Sequence, residues 1–141
     1  MDDAPRRARG ILDTSVLIDL EAIDASKLPV EVAVSAISMA ELAAGPHATA
    51  DSDERARRQD RLQRAEAAFD PLPFDSEAAR AYGRVFAAVM AAGRNARDAR
   101  AVDLLIAATA LSTGLPLYTR NGDDFRTLDG LVEVIVVEQE S

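Results

Sequence analysis

Near its start the chain reads Gly10-Ile11-Leu12-Asp13-Thr14-Ser15-Val16-Leu17-Ile18. A short apolar run, of the length of a buried strand, ends on a carboxylate and passes into a hydroxyl-bearing turn. The reading that follows is a strand over residues 10–13 and a helix from Thr14 to about Ile23. Carboxylates are seldom placed in apolar company without a partner, because desolvating a charge is expensive. The same anomaly recurs at Glu41, within Ala36-Ile37-Ser38-Met39-Ala40-Glu41-Leu42-Ala43, and at Asp103, within Ala101-Val102-Asp103-Leu104-Leu105-Ile106-Ala107-Ala108.

Outward from that first strand, the pattern predicts alternating elements. Residues 31–35 read as a second β run. Ser38 to Ala44 opens on a Ser-x-x-Glu pattern and stops at Gly45-Pro46, as a capped helix does. Residues 46–52 read as a loop and 53–69 as a highly charged helix, followed by a turn or short strand over 70–74. Ser76 is the expected cap of a helix to Ala92, with Ala79, Tyr82, Val85, Phe86, Val89 and Met90 as its apolar stripe. Gly93 closes it. After a polar connection, Asp98 is the expected cap of a helix that runs to Thr113 and stops at Gly114. Residues 115–119 and 131–137 read as strands, separated by an Asn121-Gly122 turn and a short helix over 123–128. Strands alternating with helices argue for a parallel sheet in one α/β layer system. The expectation is a single domain over 1–141, with residues 1–9 as a flexible tail.

Composition narrows the class. With no cysteine, disulfides, thiol catalysis and thiolate metal sites are excluded. No apolar run is long enough for a membrane span, and no apolar segment follows the early arginines as a secretory signal requires. A cytoplasmic protein is the expectation. The net charge of −8 does not suit a broad basic nucleic-acid surface. Lys27 is the one lysine; Arg55, Arg57, Arg58, Arg61 and Arg64 form the one dense basic cluster. That cluster reads either as a solvated helix face paired with nearby acids or as a contact for phosphates or an acidic partner.

Ligands of parallel α/β sheets collect beyond the carboxyl ends of the strands. Asp13 stands at such an end, and Asn121, Asp123 and Asp124 follow another. Glu41 and Asp103 lie early in their helices. If both helices start at the same sheet edge, four acids meet in one crevice. Singly, each has a plainer account: Asp13 and Asp124 as helix caps, Glu41 as the far half of a capping box with Ser38, Asp103 as the partner of Arg97 or Arg100. Jointly, clustered carboxylates repel and need a counter-charge. His47 has no second histidine to join it, so an oxygen-only site for Mg²⁺ or Mn²⁺ is the natural solution. Such sites hydrolyse phosphodiesters, with the metal rather than a basic surface meeting the phosphate.

The four segments, Ile11-Leu12-Asp13-Thr14-Ser15, Ser38-Met39-Ala40-Glu41-Leu42, Asp103-Leu104-Leu105-Ile106-Ala107-Ala108 and Thr119-Arg120-Asn121-Gly122-Asp123-Asp124-Phe125, taken in order, resemble a PIN domain. Within that superfamily the chain resembles the VapC toxins of bacterial toxin–antitoxin pairs, over residues 10–137. The resemblance implies a three-layer α/β/α sandwich with a mainly parallel central sheet. It implies a Mg²⁺- or Mn²⁺-dependent endoribonuclease that cuts tRNA, rRNA or mRNA to stop translation. Asp13, Glu41, Asp103 and Asp124 would be its catalytic, metal-binding acids, with Asp123 an adjacent candidate for the fourth. Thr14, Ser15 and Asn121 would support substrate or metal. It also implies a homodimer and a cognate inhibitory antitoxin. Two other classes fit parts of the pattern. One is a non-catalytic PIN-like binding module. The other is an aspartyl-phosphate phosphotransfer or receiver domain, which as a family relies on a late lysine that this chain lacks.

Overall fold

The computed structural model describes residues 6–93 and 100–138. Four strands, β1 (Arg9–Leu12), β2 (Glu31–Val34), β3 (Leu117–Thr119) and β4 (Val134–Val136), form one sheet in the order β2-β1-β3-β4. Every pairing is parallel: Leu12 sits opposite Val34 and Tyr118, and Tyr118 opposite Ile135. Beyond β2, Leu72 extends the edge through a bridge to Ser35. Parallel neighbours need crossover connections, which here are helical: α1 (Thr14–Leu17), α2 (Ala36–Ala44), α3 (Ser52–Ala68), α4 (Ser76–Ala91) and α5 (Ala101–Thr113).

The strands' two-residue period divides the core. Ile11, Ala33 and Leu117 face a cluster built with Ala81, Val85 and Val89 of α4 and Leu104, Ile106, Ala107 and Ala110 of α5. Their neighbours Leu12, Tyr118 and Val137 face the opposite way, onto Val16 and Leu28. Val34 and Leu17 join Leu42 of α2 and Ala65 of α3 on that second side. Helices therefore cover both faces, giving the expected three-layer α/β/α sandwich. α5 is buried all round between Asp103 and Ala110, apart from half-buried Leu105.

Several local expectations are corrected. The helix expected to run from Thr14 to about Ile23 ends at Leu17; single 3₁₀ turns follow at Leu20–Ala22 and Ala25–Lys27. Asp19 adopts φ −110° and ψ 16° and its carboxylate accepts a 2.6 Å bond from Arg120, so a tertiary contact and a short acidic side chain interrupt the helix. Ser35, not Ser38, caps α2, accepting from the Ser38 N–H. Asp75, not Ser76, caps α4, accepting from the Ala78 N–H. The α4 stripe is rotated: Ala78, Ala81, Val85 and Val89 are buried, while Ala79, Phe86 and Met90 are exposed. The small alanines face the core because α5 packs close against them. The 46–52 loop begins as a 3₁₀ turn at Gly45–Ala48, and the short helix expected over 123–128 is a 3₁₀ helix at Gly122–Leu128. Asp98 lies outside the described residues. So do residues 1–5 of the expected tail, whereas the Arg6 guanidinium donates to the Leu28 and Pro29 carbonyls.

β1 tolerates no side chain at Gly10. A Cβ there would fall 2.8 Å from Tyr118 Cδ1 and 3.1 Å from Pro29 Cγ, and Tyr118 is buried beneath it. Gly10→Ala is expected to lower stability by about 1–3 kcal/mol, the usual range for overpacking. Chemical denaturation with an unchanged m-value checks this; a midpoint equal to wild type would mean that the Tyr118 ring yields.

Candidate active site

β1 ends at Leu12, so Asp13 is carried just past the carboxyl end of a central strand, 4% exposed. It occupies the N-cap position of α1, yet its side chain makes no capping bond. Ser15 Oγ and Thr119 Oγ1 both donate to Asp13 Oδ2, each at 2.8 Å. Thr119 closes the neighbouring strand β3, and its Oγ1 in turn accepts from the Asn121 N–H at 3.0 Å. Ser15 Oγ accepts from the Arg120 N–H at 3.1 Å. The hydroxyls thus lock one carboxylate oxygen to two strand ends and leave Oδ1 without a hydrogen bond from any described residue.

Glu41 reaches the same edge from α2. Thr14 Oγ1 bonds its Oε1 and also lies 2.9 Å from Ser38 Oγ. Because Ser35 provides the α2 cap, Glu41 is not the far half of a capping box. Its Oε2 accepts from Arg100 Nη2 at 3.0 Å. Arg100 is the N-cap residue immediately before α5, so the acid of one helix is tied to the N-cap of another.

Asp103 stands in the first turn of α5, 5% exposed, and no described residue hydrogen-bonds its carboxylate. Burial, followed by the negative charge of Asp13, pushes its pKa up to about 6; Arg100 opposes the rise, and Asp124 and Glu41 add to it. The other three sequence-predicted acids therefore act electrostatically on the buried Asp103 carboxylate. Asp124, itself exposed, does so from the 3₁₀ helix after β3, where its N–H bonds the Asn121 carbonyl. Asp123 turns outward to pair with Arg126, so the arrangement favours Asp124 as the fourth acid.

The chemistry of this donor set fits a hard divalent cation. An ionised carboxylate with little water access and no hydrogen-bonding partner is unfavourable until a cation meets it. Among the described residues no three acidic or histidine side chains are placed, as they lie, to hold a metal ion together. Mg²⁺ suits such an open set, since it keeps several waters and takes only one or two carboxylates directly.

Sequence reading missed Thr119, whose hydroxyl orients Asp13, and gave Ser38 only a capping role. Buried threonine and serine at strand ends and first helical turns are the signal that would have marked them. Of the arginine cluster, Arg55 and Arg58 are structural: they donate to the carbonyls of Pro46, Thr49 and Gly45 and fasten the 3₁₀ turn to α3.

The model of the PIN domain matches residues 10–131, a span that holds Asp13, Glu41, Asp103 and Asp124. The chain belongs to the PIN domain family. It is 39% identical over 133 residues to Ribonuclease VapC5 of Mycobacterium tuberculosis, covering 92% of this chain and 95% of that one. Among solved structures, the VapBC-5 member of the VapBC toxin–antitoxin family from the same organism superposes with a TM-score of 0.80 at 39% identity, over 94% of this chain and 99% of that one. FitAcB from Neisseria gonorrhoeae superposes at 0.68 with 26% identity, over 89% and 95%. This PIN domain has no helix, among the described residues, long and apolar enough to cross a membrane.

Proposed function

We propose that this PIN domain is the toxin of a toxin–antitoxin pair and a Mg²⁺- or Mn²⁺-dependent endoribonuclease. The observation that carries the reading is Asp103: a buried carboxylate with no hydrogen-bonding partner among the described residues, under the combined field of Asp13, Glu41 and Asp124. The likeness to a chain named as a ribonuclease, and to a toxin–antitoxin complex, supports it.

Asp13, Glu41, Asp103 and Asp124 would hold the cation, directly or through water. The cation would polarise a phosphodiester and make a bound water acidic at neutral pH. The chain's own part is positional. Thr119 and Ser15 fix Asp13, Thr14 and Ser38 fix Glu41, and a carboxylate takes the proton of the attacking water. Oxygen–phosphorus bond formation in line with cleavage of the P–O3′ bond leaves a 5′-phosphate and a 3′-hydroxyl. The test is induced expression without the antitoxin: growth should stop, and RNA recovered from those cells should carry new 5′-phosphate ends. Fragments ending in 2′,3′-cyclic phosphate would refute the mechanism, since the RNA's own 2′-hydroxyl would then have attacked.

Two surfaces suit the partners. Tyr82 and exposed Phe86 and Met90 form a stripe along α4, the kind of face a second copy would cover in a homodimer. A cleft of about 490 Å³ lies between residues 17–22 and α3, floored by Leu17, Leu42, Ala65 and Phe69. On its rim Arg57 pairs with Glu54, and Arg64 with Glu21 and Asp60. Arg61, also on the rim, makes no hydrogen bond or ion pair with a described residue. An antitoxin segment with apolar and acidic side chains fits this cleft. Arg61→Glu is expected to weaken antitoxin binding about tenfold or more and to leave RNA cleavage by the free toxin unchanged. Surface plasmon resonance beside a cleavage assay reads both; equal antitoxin affinity would place the partner elsewhere.

A further inference from the structure

Among the described residues Arg100 is the basic side chain that acts on Asp103: of the groups that shift it, Arg100 is the one that opposes the others. Its tie to Glu41 is a single contact, Nη2 to Oε2 at 3.0 Å. A guanidinium carries five donors, and here no other described residue takes one. The Arg100 side chain is 63% exposed, whereas that of Glu41 is 23% exposed, so the arginine stands on the solvent side of the pair. Its neighbours are committed elsewhere: Arg120 pairs with Asp19, at 14% exposure, and Arg126 pairs with Asp123. An exposed pair of this kind is held weakly and exchanges partners readily. Arg100 also holds a place that matters, because it immediately precedes α5, the helix that presents Asp103 three residues later.

We propose that Arg100 is a movable counter-charge: it occupies Glu41 while the site lacks a cation, and transfers to a phosphate of the RNA when the cation releases it. This rests on the metal-dependent nuclease reading. In the free protein the arginine neutralises Glu41 and competes with the cation for it. With Glu41 tied in this way, no three acidic side chains among the described residues are placed to hold a metal ion together. Once displaced, the guanidinium has the planar geometry that suits two phosphate oxygens. It is then a positioning residue for substrate, and its two partners give its removal two opposite effects.

The experiment uses the full chain free of antitoxin, as wild type, Arg100→Met and Arg100→Lys. Mn²⁺ is titrated by calorimetry. Bulk tRNA binding is measured across a salt series with Ca²⁺ in place of Mn²⁺ and the acids intact, so that a hard cation meets the carboxylates without the octahedral geometry that cleavage requires. Removing the competitor should tighten Mn²⁺ binding by about five- to tenfold in Arg100→Met. Losing one phosphate contact should weaken tRNA binding by about tenfold and reduce the slope of log K against log salt by about one. Arg100→Lys, which keeps the charge without the fork, should leave the salt slope near wild type while binding tRNA less tightly. Circular dichroism should show all variants folded, since the side chain is largely solvated.

Weaker Mn²⁺ binding in Arg100→Met would overturn the proposal, because the arginine would then be assembling the acids rather than competing for one. An unchanged salt slope would overturn it too, because no phosphate contact would have been lost. A wild type that binds no Mn²⁺ while still binding tRNA would instead bring down the metal reading itself, and the proposal with it.

Discussion

Asp13→Asn and Asp103→Asn are each expected to lower metal-dependent RNA cleavage by about 1,000-fold. The substitutions are isosteric, so hydrogen bonds and packing survive while one negative charge is lost. At Asp13, Ser15 and Thr119 still find an oxygen on the amide, but a neutral oxygen is a poor ligand for a hard cation. The loss follows from removing both the cation's anchor and a base for water, each of which contributes orders of magnitude. Asp124→Asn should fall in the same direction. Asp123→Asn should stay within about twofold of wild type, because its side chain pairs outward with Arg126 and surface pairs of this kind contribute little. Initial rates on a labelled RNA measure all four. Full activity in Asp103→Asn would reduce the acids to a binding surface, and the chain to a non-catalytic member of its family.

The same Asp103→Asn substitution is expected to make the metal-free protein more stable. Burial and neighbouring acids raise the Asp103 pKa from 3.8 to about 6. The unfolded chain releases this proton near pH 4 and the folded chain near pH 6, so the folded state holds the extra proton between those values. Stability therefore falls as pH rises through that window, and above it the whole penalty is present, on the order of 2–3 kcal/mol. Asparagine does not ionise and escapes it. At pH 8 in EDTA the variant should melt about 5–10 °C above wild type, and the gap should close below pH 4. Adding Mn²⁺ should raise the melting temperature of wild type and leave that of the variant nearly unchanged. A variant that melts lower than wild type in EDTA at pH 8 would contradict the account of Asp103 as a strained, uncompensated charge.

The chain's organisation was readable where one physical cause dominates. The strand ending at Asp13 is a short apolar run bounded by polar residues, and α5 is a largely apolar helix whose one charged residue is its acid, so both were legible. The layers followed from the alternation of strands with helices. What escaped reading was decided by contacts distant in sequence. α1 stops at Leu17 because Asp19 meets Arg120. The buried face of α4 is built on Ala78 and Ala81, and alanine carries too little hydrophobic signal to reveal that α5 packs closely against it. Serine caps were each assigned one to three residues late, since Ser35 and Asp75 compete with equally good neighbours at Ser38 and Ser76. In the site, the acids stood out because charge among apolar residues is rare. Thr119 did not, because a threonine in a strand is ordinary until Asp13 is found 2.8 Å away. The tie between Arg100 and Glu41 joins residues 59 positions apart, beyond the reach of any local pattern.

The central claim is that these carboxylates exist to hold a divalent cation. Anomalous diffraction from crystals of the antitoxin-free protein grown with Mn²⁺ tests it most directly. The account predicts a strong manganese peak at about 2.1 Å from carboxylate oxygens of Asp13 and Asp103, with Asp124 joining directly or through water. Ordered Asp13 and Asp103 with no peak between them, at a Mn²⁺ concentration that supports RNA cleavage, would contradict it.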